Sequence, residues 1–166
     1  MNILSKKIFF LAFFLLLIIC QPVVIQAVEE NLAIKNEVIN PGSFYYSFKR
    51  LWEKGMDKLQ FSKELKINFY KSQLKTRLAE LNYVVENKLL SEVQQSSERF
   101  SFYAGILTDE LVRQNKVQDK EKAIKEFEKY SIFLNKLRDN YPANTSFWML
   151  IQHDINSLDI LSKRLK

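Results

Sequence analysis

Cysteine and histidine each occur once in these 166 residues, and glycine and proline three times each. With so few Cys and His side chains, a structural zinc site, a Cys–His nucleophile pair and a disulfide framework are all excluded. Gly42, Gly55 and Gly105 stand too far apart to form a phosphate cradle. Few turn residues mean few elements, and long ones. No stretch holds a sustained period-two alternation, so the reading moves to an all-α protein. A basic stripe is missing too: the net charge of +6 is spread over interleaved signs, as in "DKEKAIKEFEKY". That pattern describes a solvated, ion-paired surface, and no nucleic-acid partner is expected.

What is present begins with the N-terminus. Lys6 and Lys7 precede an apolar run from Ile8 to Cys20, Gln21 and Pro22 break it, and Ala27 is small enough for the residue before a cleavage site. Residues 1–27 therefore read as an export signal. The alternative is an uncleaved membrane anchor over residues 8–28, which approaches the length of a span. Cys20 follows the bulky Ile19, so it reads as one more apolar residue of the signal and not as a lipidation site. Cleavage before Val28 removes the only cysteine and leaves 23 basic against 19 acidic residues.

Residues 28–42 read as an extended leader ending at Pro41-Gly42. Residues 43–166 read as one helical domain. Ser43 is placed to cap a short aromatic helix with Tyr45, Phe48, Trp52 and Leu59 on one face, in which Gly55 marks a bend or an end. Ser62 is placed to cap a longer helix carrying Ile67, Tyr70, Leu74, Leu78, Leu81 and Val85, with Leu65 and Val84 widening the seam. "NKLL" separates it from a third helix, capped by Ser91, with Val93, Phe100, Ala104, Leu107 and Leu111; the seam position between the first two is Ser97, where packing should be polar. After "NKVQD", Asp119 is the candidate cap for Ala123, Phe127, Tyr130, Leu134, Leu137 and Tyr141, and Pro142 stops that helix. A last helix carries Trp148, Ile151, Ile155, Leu158 and Leu165, and Asn144-Thr145-Ser146 reads as its cap rather than as a glycosylation site. The fold expected is an up-down bundle of about four long helices with coiled-coil-like seams, preceded by the aromatic helix.

Little in the sequence points to chemistry. His153 and Asp154 are neighbours on a helix and point about 100° apart, so they read as a helix flank and not as a catalytic pair. Glu29-Glu30 and Asp109-Glu110 read as charged helix faces. The remaining candidates lie in "SFYYSFKRLWEKG" and "TRLAEL": Tyr45, Tyr46, Phe48, Lys49, Arg50, Trp52, Glu53, Arg77 and Glu80, as interaction or inter-helix contact residues. Glu53 follows Lys49 by four residues and Arg50 by three, and Glu80 follows Arg77 by three, spacings at which side chains meet on a helix. The favoured arrangement docks Tyr45, Phe48 and Trp52 beneath the next two helices, with Lys49 and Arg50 at the edge and Glu53 reaching Arg77. The competing arrangement leaves the aromatics exposed as a recognition patch.

The stretch from Asn40 to Leu81 resembles a bacterial family of exported helical proteins catalogued as a domain of unknown function. Its pattern is met here by Pro41, Gly42, Tyr46, Lys49, Arg50, Trp52 and Glu53, then by Phe61, Ser62, Glu64 and Lys66, and then by Arg77, Leu78 and Glu80. The resemblance extends over residues 40–112. It implies an exported domain that follows a signal or a membrane segment, and it supplies no catalytic residue. From sequence, then, this is a non-enzymatic helical binding or structural domain at the cell envelope, without a cofactor or a metal. It meets a protein or an envelope component and touches membrane only through its N-terminal segment. The alternatives are a membrane-anchored extracytoplasmic spacer and a hydrolase using carboxylates such as Glu53 and Glu80.

Overall fold

A computed structural model describes Ile34 and residues 37–166; the signal reading of residues 1–27 lies outside the described residues. Among the described residues the chain forms five α-helices and no strand. They are α1 (Tyr46–Lys58), α2 (Lys63–Glu86), α3 (Leu90–Gln114), α4 (Val117–Arg138) and α5 (Ser146–Leu165). The protein is an all-α bundle.

Helix starts follow local chemistry where a side chain reaches back to a free N–H. Ser62 Oγ accepts from the backbone N–H of Leu65 at 3.1 Å, and Thr145 Oγ1 faces the N–H of Trp148 at 3.5 Å. Three expected caps differ. Ser43 lies before α1, receiving the Tyr46 N–H at its carbonyl oxygen. Helix α3 starts at Leu90, one residue ahead of Ser91, and α4 starts at Val117, so Asp119 sits in the first turn, where its carboxylate still favours the helix dipole. Gly55 does not end α1, which runs on to Lys58.

With glycine scarce, other residues take the left-handed conformation at the corners: Lys88 after α2, Asn115 after α3 and Asn144 before α5, all with φ between 52° and 63°. Asparagine tolerates this geometry better than most side chains. Gly42, at φ 86°, is the leader's one glycine turn.

Helices α2 and α3 form one closely packed hairpin, α4 and α5 another, and α3 against α5 joins them. Contact between α3 and α4 is slight, so the order in space is not a ring of consecutive neighbours. Helices α3 and α5 run parallel: Ser101 meets Asp154, and eight residues further along α3 Asp109 meets Arg164.

The seams converge on one core. Leu74, Leu78, Leu81, Phe100, Leu107, Phe127, Leu134, Leu137, Ile151 and Leu158 are all buried in a single cluster, and Ile155 packs half-buried against it. Leu65, expected to widen the α2 seam, is exposed. The middle of α2 is covered all round, since residues 77–82 are buried without a break. Helix α3 and its neighbours cover the leucine side; α1 covers the side that carries Arg77 and Glu80.

Truncating a fully enclosed side chain removes its burial and leaves a cavity. Leu78→Ala should therefore lower unfolding stability by about 2–5 kcal/mol, while Leu65→Ala should stay within about 0.5 kcal/mol of the wild type. Urea denaturation followed by circular dichroism measures both; equal losses would refute the seam.

Candidate functional site

The site is where α1 meets α2. Arg77 and Glu80 stand on adjacent turns of α2, and both are 0% exposed. A buried guanidinium needs its donors filled, and a buried carboxylate its acceptors. Arg77 Nη1 donates to Glu80 Oε2 at 2.6 Å and to the Tyr46 hydroxyl at 3.1 Å. Its Nη2 donates to Gln73 Oε1 at 2.8 Å and meets Glu53 Oε2 at 2.5 Å. The guanidinium also lies over the Tyr103 ring of α3, 5.4 Å from its centroid.

Helix α1 supplies the other half. Tyr46 donates its hydroxyl proton to Glu80 Oε2 at 2.6 Å and accepts from Arg99 of α3 at 3.1 Å, so one phenol ties three helices together. Lys49 donates to Glu80 Oε1 and to Glu37 Oε2, each at 2.9 Å, and to the Ile39 carbonyl at 3.1 Å. Thr76 holds the second oxygen of Glu37, which fastens the leader to α2. Arg50 bonds Glu53 at 3.1 Å along the helix.

The electrostatics follow from this geometry. Burial, and then the charge and hydrogen bond of Glu80, push the Tyr46 phenol well above the usual tyrosine range. Burial works against the charge on Arg77, but Glu80 and Glu53 outweigh it and hold the guanidinium pKa above its ordinary value. One helix turn on from Glu53 stands Asp57; burial first, then the charge of that carboxylate, raises the Tyr70 phenol to about 12.

The contact thus unites Tyr46, Lys49, Arg50, Glu53, Arg77 and Glu80. It does not include Tyr45, Phe48 and Trp52, and their expected docking is overturned. These three are exposed, Trp52 by 72%, together with Phe44 at 81%, Leu51, and Phe61 at the α1–α2 corner at 87%. The reason lies in α2: the surface that α1 covers is Gln73, Arg77 and Glu80, which only the polar face of α1 can satisfy. The helix is docked with its amphipathic sense inverted, charges inward and aromatics outward.

Sequence reasoning missed Glu37, Thr76 and Arg99, and no local pattern singles them out, because each joins through a contact more than ten residues away in the chain. It also misread Asp154. His153 is exposed, but Asp154 is fully buried on α5 and faces α3, where Ser101 Oγ donates to its Oδ1 at 2.5 Å. A signal was present: Asp154 follows Ile151 by three residues and precedes Leu158 by four, which places it on the buried face. Ser97, the polar gap in the α3 seam, lies on the same side and favours the charged carboxylate, while Oδ2 is buried without a hydrogen-bond partner. Burial raises the Asp154 carboxyl to about 7, against the opposing effect of the two serines.

Among the described residues no group of three or more His, Cys, Asp or Glu side chains is placed to hold a metal, and no helix is long and apolar enough to cross a membrane. Compared with protein-family models, curated proteins and solved structures, the chain matches none.

Removing Arg77 strands two buried carboxylates. Arg77→Ala should cost about 3–5 kcal/mol in stability. A double-mutant cycle of Arg77→Ala with Glu53→Ala should return a coupling of about 0.5–3 kcal/mol, where zero would mean the bond does not form.

Asp154 makes stability depend on pH with a definite sign. As pH rises from about 4, the unfolded carboxyl ionises first, while the folded one keeps its proton to about 7. Stability is thus greatest at the acid end of this window and falls across it. Asp154→Asn should abolish the fall, so urea titrations at pH 5 and pH 8 should show the variant gaining on the wild type by on the order of 2–4 kcal/mol.

Proposed function

We propose that this chain is an exported bacterial helical domain, non-enzymatic, that binds a protein or an envelope component through the outward face of α1. The observation that carries the reading is the row formed by Phe44, Tyr45, Phe48, Leu51 and Trp52, held outward on α1 and the turn before it, where the opposite face of the helix is locked by buried ion pairs. A contiguous apolar face of this kind marks an interaction site. Support for export comes from Lys6 and Lys7 ahead of the apolar run Ile8–Cys20, and from the resemblance of residues 40–112 to an exported family. The hydrolase reading loses support, because Glu53 and Glu80 already accept from Arg77, and Glu80 from Lys49 and Tyr46 as well. In the second reading the residues 8–28 run stays in the membrane and the bundle is a spacer beyond it.

A photo-crosslinking amino acid at position 52, expressed in intact cells, separates these. The binding reading expects a discrete crosslinked product that disappears when the probe moves to the buried position 78. Mass spectrometry of the recovered chain should give Val28 as its first residue. An intact N-terminus would favour the anchored spacer, and the absence of any crosslink from position 52, to protein or to lipid, would sink the binding role.

A further inference from the structure

The charges beside the aromatic row identify what it meets. Residues 43–63 carry five basic and two acidic side chains. Both acids are turned inward: Glu53 is buried against Arg77, and Asp57 is half-buried with its Oδ1 out of contact with solvent. Lys54 and Lys58 are exposed, and helical spacing puts them together on one flank of the row. The outer surface of α1 is therefore aromatic and cationic, with no carboxylate among its exposed side chains.

We propose that this face binds an anionic lipid surface, the rings of Phe48 and Trp52 entering the headgroup layer and Lys54 and Lys58 lying against its negative charge. The inference rests on the binding reading above and names its partner. It also adds a second membrane contact to the one expected from the N-terminal segment. Tyr and Trp suit a headgroup boundary because each has an apolar body and a polar tip. Lysines beside such a row add attraction to anionic lipid that salt weakens. The row occupies the first half of α1, whose thirteen residues extend about 20 Å, and Lys54 and Lys58 lie along the second half. Phe44 packs edge-on to Tyr45 at 5.6 Å and lies 6.3 Å from Phe48, so these three rings form a cluster, with Trp52 one helix turn further along. A second copy of the chain fits less well. In an antiparallel pair of α1 helices the lysine flank meets itself, and in a parallel pair it meets a flank that offers no exposed carboxylate.

The test uses the full chain with Trp148→Phe, so that Trp52 is the only tryptophan. It is mixed with phosphatidylcholine vesicles whose acyl chains are brominated, with and without phosphatidylglycerol. Bromine quenches only a tryptophan within the lipid, so an N-terminal segment that itself binds vesicles does not produce the signal. Blue-shifted, quenched Trp52 emission is expected with phosphatidylglycerol present. The affinity of that response should fall about tenfold or more in Lys54→Glu/Lys58→Glu and in high salt. Circular dichroism should show the variant folded, since both lysines are exposed.

Unchanged Trp52 emission on adding anionic vesicles would overturn the proposal. So would an equal response to neutral vesicles, or a blue shift that grows with protein concentration without lipid, the mark of self-association. If the lipid response fails while position 52 still crosslinks to a protein in cells, the lipid inference falls and the broader binding reading stands. If both fail, both fall.

Discussion

The guanidinium of Arg77 is the constraint on which the rest of this structure is arranged. A full charge removed from water is costly, and mutual attraction offsets that cost only when the geometry is good and the remaining donors are bonded. Glu80 alone, one turn away on the same helix, leaves Nη2 and the second carboxylate oxygen unfilled. Glu53 and Gln73 take the first, and Lys49 takes the second, while Nε alone is buried without a partner. Two of those three groups lie on α1, so the orientation of α1 follows from the needs of α2. The leader is fixed in turn, because Lys49 also holds Glu37 and the Ile39 carbonyl.

The same reasoning marks the boundary of what the amino-acid sequence revealed. Hydrophobic period identified α2 to α5 and nearly all of the shared core, because a leucine seam can face only inward. It failed on α1, where the aromatic residues have the same period but point outward. Period reports that a face is apolar; it does not report what that face meets. The competing information was in α2, where Gln73, Arg77 and Glu80 share one side of the helix. Recognising that side as buried required knowing that α1 lies over it, which is tertiary information. Glu53 with Arg77 was legible as a pair of complementary charges, whereas Arg99 and Glu37 were not, since no spacing rule links them to Tyr46 or Lys49.

Asp154 shows a second kind of partial legibility. The gap at Ser97 announced a polar position in the α3 seam, and its counterpart on α5 was hidden by attention to His153 beside it. Together the two define register. A leucine seam tolerates a slip of one heptad, since leucine replaces leucine, but a carboxyl that must face Ser97 and Ser101 does not. Slipped by seven residues along α3, Asp154 would lie closer to Ala104, Leu107 and Thr108, two of which have no side-chain hydrogen-bonding group to offer.

The inverted helix is also where folding stability and the proposed binding role diverge. Burying one large aromatic side chain is worth about 1.5–3 kcal/mol. The row from Phe44 to Trp52 therefore forgoes on the order of 10 kcal/mol that an oppositely oriented α1 facing an apolar surface would have gained. The ion pairs do not replace that sum, because buried pairs roughly break even against apolar packing of similar volume. A sequence shaped for stability alone would carry leucines where α2 carries Gln73, Arg77 and Glu80, and α1 would close down on its aromatics. This chain uses the buried charges to hold the aromatics outward. Departures from local consistency of this kind concentrate at functional sites. The energy missing from the monomer is available for binding at a surface that covers the row, and the inward turn of both carboxylates leaves that row a cationic edge.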